Sequence, residues 1–268
     1  MLYNQSMRIF RLIFCLILLL CACAVSVSAE TCSEMRVRVE RHTIYSEYLH
    51  GELIFDIYIP PCMDPRVMNG YPVVYLLHGQ DMDIDIWKRM RLSQIIRNTL
   101  NETDIPLFLT VAPQENQYLS SFSVSGLDQA LVEELIPWID SHYNTCTLRT
   151  CRSLAGFSRG ALWTEKIAFE HPDLFSAIGM LSMPGMVFDD QTIHVFTEKH
   201  KQNDFLRIRM DTGSEDNYRH EGKKAAAQLT FTGYPFEYNI QPGGHNKDYW
   251  KSMLGEYFLW FSRDWQTN

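Results

Sequence analysis

The chain predicts an α/β protein: a mostly parallel sheet with helices on both faces. Three observations predict it. Short, continuously apolar runs such as Val73-Val74-Tyr75-Leu76-Leu77 have the composition of strands buried on both sides. They alternate with longer stretches of helical spacing, as where Leu127, Leu131, Leu135 and Ile139 lie opposite Asp128, Glu133 and Asp140. Polar, chemically useful side chains fall just beyond the ends of the strand-like runs, where the loops of such a sheet gather. With 268 residues, 46% of them hydrophobic, the chain can fill one sizeable core but not a large accessory domain as well.

Residues 1–29 read as an export signal rather than as part of this fold, leaving residues 30–268 as a single domain. Arg8 and Arg11 precede an apolar run over 12–25, and Val27-Ser28-Ala29 offers the small residues that a signal peptidase needs. The run is shorter than the ~20 apolar residues of a membrane-spanning helix. Leu20-Cys21-Ala22-Cys23 also resembles a bacterial lipobox, which would place a lipid on Cys23 and hold the protein at a membrane; free secretion or release into a periplasm is preferred.

Next come residues 36–45 and 53–59, read as an antiparallel pair. Cys32 and Cys62 bracket it, so that its outer ends would bring the two together, and Cys146 and Cys151 flank a short loop further on. Four cysteines outside the leader permit two disulfides in an oxidising compartment, with four buried thiols as the alternative. The strand over 73–77 leads into His78-Gly79-Gln80. Residues 87–100 read as a helix, 107–111 as a strand and 127–139 as a helix.

Ser153-Leu154-Ala155 is a short strand running into Gly156-Phe157-Ser158-Arg159-Gly160, with a helix from Ala161 to Phe169. A serine that attacks a carbonyl has to stand on a sharp strand-to-helix turn, and glycines two before and two after make room for that backbone. Residues 183–201 offer space for a small pocket wall and no large cap. The strand over 206–210 alternates Leu206, Ile208 and Met210 with Arg207 and Arg209, so one of its faces must meet water or acids. It ends in Asp211-Thr212-Gly213-Ser214-Glu215-Asp216. A last strand over 236–240 runs into Gly243-Gly244-His245. The aromatic residues Trp250, Tyr257, Phe258 and Phe261 then follow at helical spacing.

Serine, acid and histidine, each just past a strand and in that order, form the chain order of a nucleophile, its orienting acid and its base. Ser158 is expected to attack, His245 to take and return its proton, and Asp216 to hold the imidazole, with Asp211 in reserve. The backbone N–H groups of Gln80 and Arg159 are the expected donors to a developing oxyanion. Trp87, Arg159 and Trp250 are the candidate substrate contacts. Ordinary packing is the first reading of both tryptophans, with Trp250 near enough to His245 in the chain to line a pocket, and the arginine side chain is read equally as binding a substrate carboxylate or as pairing with a nearby acid.

Leu76-Leu77-His78-Gly79 with Trp87, Gly156-Phe157-Ser158-Arg159-Gly160, His171-Pro172-Asp173-Leu174-Phe175, Gly213-Ser214-Glu215-Asp216 and Gly243-Gly244-His245 together resemble the "putative esterase" family of α/β-hydrolases. That family includes esterase D-like, feruloyl-esterase and enterochelin-esterase domains and mycolyltransferases, and the resemblance covers roughly residues 36–260. It implies the α/β-hydrolase fold and a serine hydrolase that cleaves carboxylic esters through an acyl-enzyme. Arg159 departs from the small or apolar residue usual in the family, and Ala161 from its second glycine.

No cofactor is expected. No metal-binding spacing such as His-Glu-x-x-His is present, and Asp81, Asp83 and Asp85 lack the rest of a calcium loop. His171 and His220 read as structural. Without Arg8 and Arg11 the chain carries 22 basic against 32 acidic residues, a net of −10, which disfavours nucleic acid as a partner. The expected partner is a small ester; oligomeric state is not written in the sequence. Acyl transfer to a sugar or alcohol is the alternative within enzymes, and a non-catalytic binding protein on the same fold the alternative outside them.

Overall fold

Val73–Leu77 (β3), Arg152–Phe157 (β5) and Ala177–Leu181 (β6) are buried along their whole length, as strands in the middle of a sheet covered on both faces must be. The structure, a computed structural model, describes residues 36–116, 120–200 and 205–265. The expected export signal, Cys23 and Cys32 lie outside the described residues. The other strands are Arg38–Ser46 (β1), Gly51–Ile59 (β2), Leu109–Pro113 (β4), Arg207–Gly213 (β7) and Glu237–Gln241 (β8). Their spatial order is β1-β2-β4-β3-β5-β6-β7-β8. The β1–β2 and β2–β4 pairs are antiparallel and all others are parallel, so the N-terminal pair forms one edge of a mostly parallel sheet.

Helices cover both faces: Ile86–Arg89 (α1), Leu92–Glu102 (α2), Leu127–Gln129 (α3), Ile136–His142 (α4), Arg159–Glu170 (α5), Asp190–His200 (α6), Arg219–Thr232 (α7) and Lys247–Phe261 (α8). One core contains Leu131, Trp163, Phe175 and Ile208. The other is aromatic, with Trp87, Phe157, Trp250, Tyr257, Phe258 and Phe261. Gly179 in β6 makes room for this second core, since a Cβ there would stand 2.1 Å from the Tyr257 ring.

Three local differences from the sequence reading have physical causes. The single helix expected over 87–100 is two, broken where Arg91 takes a left-handed conformation with φ of 59°; the change of direction lets Trp87, Met90, Leu92 and Ile96 all be buried. The helix expected over 127–139 contains a wide π-helical stretch, Ala130–Leu135, immediately before Pro137. A proline ring crowds the carbonyl four residues back in a regular α-helix, and a widened turn relieves it. The strand expected over 107–111 begins at Leu109 instead. The sequence reading missed β6 altogether.

The arginines of β7 find the acidic partners their alternation required. Arg209 bonds Asp211 and Glu256 and lies over the Tyr257 ring, while Arg207 pairs with Asp264 and lies over Trp260. Cys146 and Cys151 form a disulfide just before β5; the pairing expected for Cys62 involves Cys32, which is not described. Among the described residues no helix is long and apolar enough to cross a membrane.

Candidate active site

Ser158 occupies the turn between β5 and α5 with φ of 55° and ψ of −122°, outside the regions open to most L-residues. The flanking glycines are what allow it. A Cβ on Gly156 would stand 2.2 Å from the Gly160 carbonyl oxygen, and one on Gly160 2.2 Å from that of Leu77. Strand, turn and helix therefore close on one another through bare backbone, and the serine side chain is left partly exposed.

Ser158, Asp216 and His245 come together at the rim where β5, β7 and β8 end. Ser158 Oγ and His245 Nε2 are 2.9 Å apart, and His245 Nδ1 lies 3.0 and 3.2 Å from the two carboxylate oxygens of Asp216. An acceptor at Nδ1 places the ring proton there, which leaves Nε2 free to accept from the serine hydroxyl. Asp216 is buried, and burial pushes its acidity the wrong way. Hydrogen bonds from His245, from the Ser182 hydroxyl and from the Tyr218 N–H outweigh that, and hold the carboxyl below its ordinary range. The carboxylate therefore stays ionised and fixed at neutral pH.

Two side chains support this arrangement that the sequence reading did not single out. Ser182, the residue after β6, accepts a bond of 2.8 Å from Trp250 Nε1 and bonds Asp216. Tyr218 lays its half-exposed ring edgewise on His245 with centroids 4.8 Å apart. Ser182 was hidden because β6 was not recognised. A tyrosine two residues past the expected acid was the available signal for the other.

The His78-Gly79-Gln80 turn touches Ser158, for a Cβ on Gly79 would stand 3.4 Å from Ser158 Cβ. His78 is buried, which favours its neutral form, so its pKa lies below the usual histidine value. Its Nδ1–H donates to the Gly79 carbonyl at 2.9 Å and its Nε2 accepts the Glu115 N–H at 2.9 Å. Because a trans peptide is planar, pinning the Gly79 carbonyl on His78 turns the Gln80 N–H to the opposite side. The Arg159 N–H belongs to the first turn of α5, where amides lack intrahelical partners and the helix end favours negative charge.

The candidate substrate contacts and the reserve acid are all engaged inside the protein. The Arg159 side chain is committed to buried Glu115, with Nε 2.9 Å from Oε1 and Nη2 2.8 Å from it, so it pairs with an acid rather than reaching for substrate. Trp87 is fully buried against Phe157, centroids 5.2 Å apart, and is core. Trp250 is 2% exposed, stacked on Phe157 at 4.2 Å and edge-on to His245 at 5.1 Å; it braces the imidazole from inside and does not line a pocket. Asp211, the reserve acid, is spent on Arg209 and on the Tyr257 hydroxyl at 2.7 Å.

A strand-ordered parallel sheet with an antiparallel edge and a serine on a strained elbow defines an α/β-hydrolase. The "Putative esterase" family matches residues 46–261, and the chain belongs to it. The chain is 26% identical over 170 residues to an endo-1,4-beta-xylanase/feruloyl esterase of Xylanibacter ruminicola, over 58% of this chain and 23% of that protein, so it spans less than a quarter of that relative's length. Two solved structures are similar in fold. One is a variant of the feruloyl esterase module from Clostridium thermocellum complexed with sinapinate, with a TM-score of 0.76 and 18% identity over 87% of this chain and 91% of that one. The other is an S-formylglutathione hydrolase from Staphylococcus aureus, with a TM-score of 0.67 and 14% identity over 84% and 97%.

Proposed function

We propose that this protein is a carboxylic-ester hydrolase that works through an acyl-enzyme on Ser158. The observation that carries the reading is the bonded series from Ser158 Oγ through both nitrogens of His245 to Asp216, with links of 2.9 and 3.0 Å. As Oγ attacks the ester carbonyl its proton passes to His245 Nε2, and the carbonyl electron pair moves onto oxygen, facing the N–H groups of Gln80 and Arg159. Collapse of that intermediate breaks the bond to the alcohol, which departs with the proton from Nε2. Water then repeats the sequence with His245 as base, releasing the acid and restoring the serine.

The relatives named as feruloyl esterases make esters of hydroxycinnamic acids the first substrates to try. An acceptor alcohol in place of water would give acyl transfer by the same intermediate. The apolar run and small residues over 12–29, with the cysteines that follow, favour export, and N-terminal sequencing or lipid analysis of the processed protein separates cleavage after Ala29 from a lipid on Cys23.

A fluorophosphonate probe tests the chemistry. The wild type is expected to be labelled and Ser158→Ala to remain unlabelled, with turnover of methyl ferulate and p-nitrophenyl acetate falling in parallel. A wild type that resists the probe and turns over neither ester ends the acyl-enzyme reading. Product analysis with a competing alcohol distinguishes hydrolysis from transfer.

A further inference from the structure

We infer that Glu115 is a positioning residue that fixes both expected oxyanion donors relative to one another; this rests on the acyl-enzyme reading above. Glu115 follows β4 by two residues, and β4, β3 and β5 are successive neighbours in the sheet. Each of the three ends in a loop that Glu115 joins. Its backbone N–H bonds His78 Nε2, and the other nitrogen of that ring holds the Gly79 carbonyl and so sets the direction of the Gln80 N–H. Its carboxylate, 4% exposed, takes Arg159 Nε at 2.9 and 3.1 Å, Arg159 Nη2 at 2.8 Å and Trp163 Nε1 at 2.8 Å. Arg159 supplies the second donor from its own backbone.

The Arg159 side chain has no freedom left to make this tether loose. Nη2 also donates to the Ser120 carbonyl at 2.9 Å, and the guanidinium lies 4.6 Å from the centroid of Phe122. A buried carboxylate held by a planar fork and an indole is a directional joint, unlike a surface ion pair. The pair has a second consequence. Arg159 neutralises the Glu115 carboxylate, which is 4% exposed and would otherwise stand as a buried charge without a cation beside it. Removing the arginine alone therefore leaves the worse site, because an unpaired buried charge remains, and removing the charge on both sides relieves it.

The test is a cycle of Glu115→Gln, Arg159→Met and the double variant, read by kcat, KM, thermal midpoint and affinity for an arylboronic acid. The boronate forms a tetrahedral adduct on the serine and places an oxygen where the oxyanion develops. Glu115→Gln is expected to lower kcat about 10-fold or more with KM within about 2-fold, and to weaken the boronate by the same factor as kcat/KM. Arg159→Met is expected to lose more, about 100-fold, and the double variant to recover towards the Glu115→Gln value. Should Glu115→Gln not fold, Arg159→Lys, which keeps the charge and loses the fork, is expected to show the same fall in kcat at constant KM.

Wild-type kcat and boronate affinity in Glu115→Gln, with only a lowered thermal midpoint, would overturn the inference and leave the acyl-enzyme reading intact. A double variant no better than Arg159→Met also overturns it. A wild type that neither reacts with a fluorophosphonate nor turns over esters refutes both readings.

Discussion

At the scale of single residues, the site depends on which groups must be charged and which must be neutral. Asp216 keeps its charge against burial because three donors converge on it, whereas His78 is kept neutral by burial and can therefore both donate and accept. Asp216→Asn removes the charge with little change in shape. It is expected to lower kcat by roughly 10³- to 10⁴-fold through loss of the required imidazole tautomer, while circular dichroism stays that of the wild type. Unchanged kcat in that variant would mean the acid does not orient His245. Ser158, His245 and Asp216 were readable from the chain because strained turns and strand ends carry local signals. Packing was the favoured reading of Trp87 and Trp250 but could not be separated from ligand contact, since an aromatic residue at helical spacing looks the same whether it fills a core or faces a ligand. The pairing of Glu115 with Arg159 spans 44 positions and leaves no periodic trace either.

At the scale of elements, α5 does more than start at Ser158. Glu165, fully buried two turns on, accepts the Val187 N–H at 2.7 Å and the Phe188 N–H at 3.3 Å, and so fastens the connection after β6 to this helix. Burial raises its pKa to about 8 despite those two bonds. The folded protein thus holds this proton more firmly than the unfolded chain. The resulting stabilisation is complete below the ordinary glutamate pKa of about 4.3 and is lost as pH rises through about 8. Thermal midpoints from pH 5 to pH 9 are expected to fall more steeply in the wild type than in Glu165→Gln, and parallel curves would show that Glu165 does not titrate in this way. Among the elements themselves, β3 was legible to the residue because it is uniformly apolar and bounded by polar turns. The strand β6 escaped because Gly179 interrupts its short apolar run, and the reason for that glycine is the Tyr257 ring, 78 positions away in sequence.

At the scale of the whole molecule, the architecture was legible as a class: alternation implied a mostly parallel sheet, and the N-terminal pair was correctly placed as antiparallel. The way the two faces are filled was not, since one face is an aromatic layer and the other is built around Trp163 and Phe175. The Cys146–Cys151 bond closes the turn that feeds β5, at the far end of that strand from the nucleophile. Replacing both cysteines by serine is expected to cost about 2 kcal/mol of stability, or a thermal midpoint lower by about 4–8 °C, with kcat unchanged. A comparable loss of kcat would show that strain at that end of β5 reaches the elbow.

The three proposed catalytic groups hang on separate connections at one rim: Ser158 after β5, Asp216 after β7 and His245 after β8. The stretches 121–125 and 183–189 leave the same neighbourhood and contribute none of the three. Phe122 in the first is tied to Arg159, and Val187 and Phe188 in the second to Glu165, so insertions that spare these anchors, as within 183–186, are expected to leave the hydroxyl, ring and carboxylate in register.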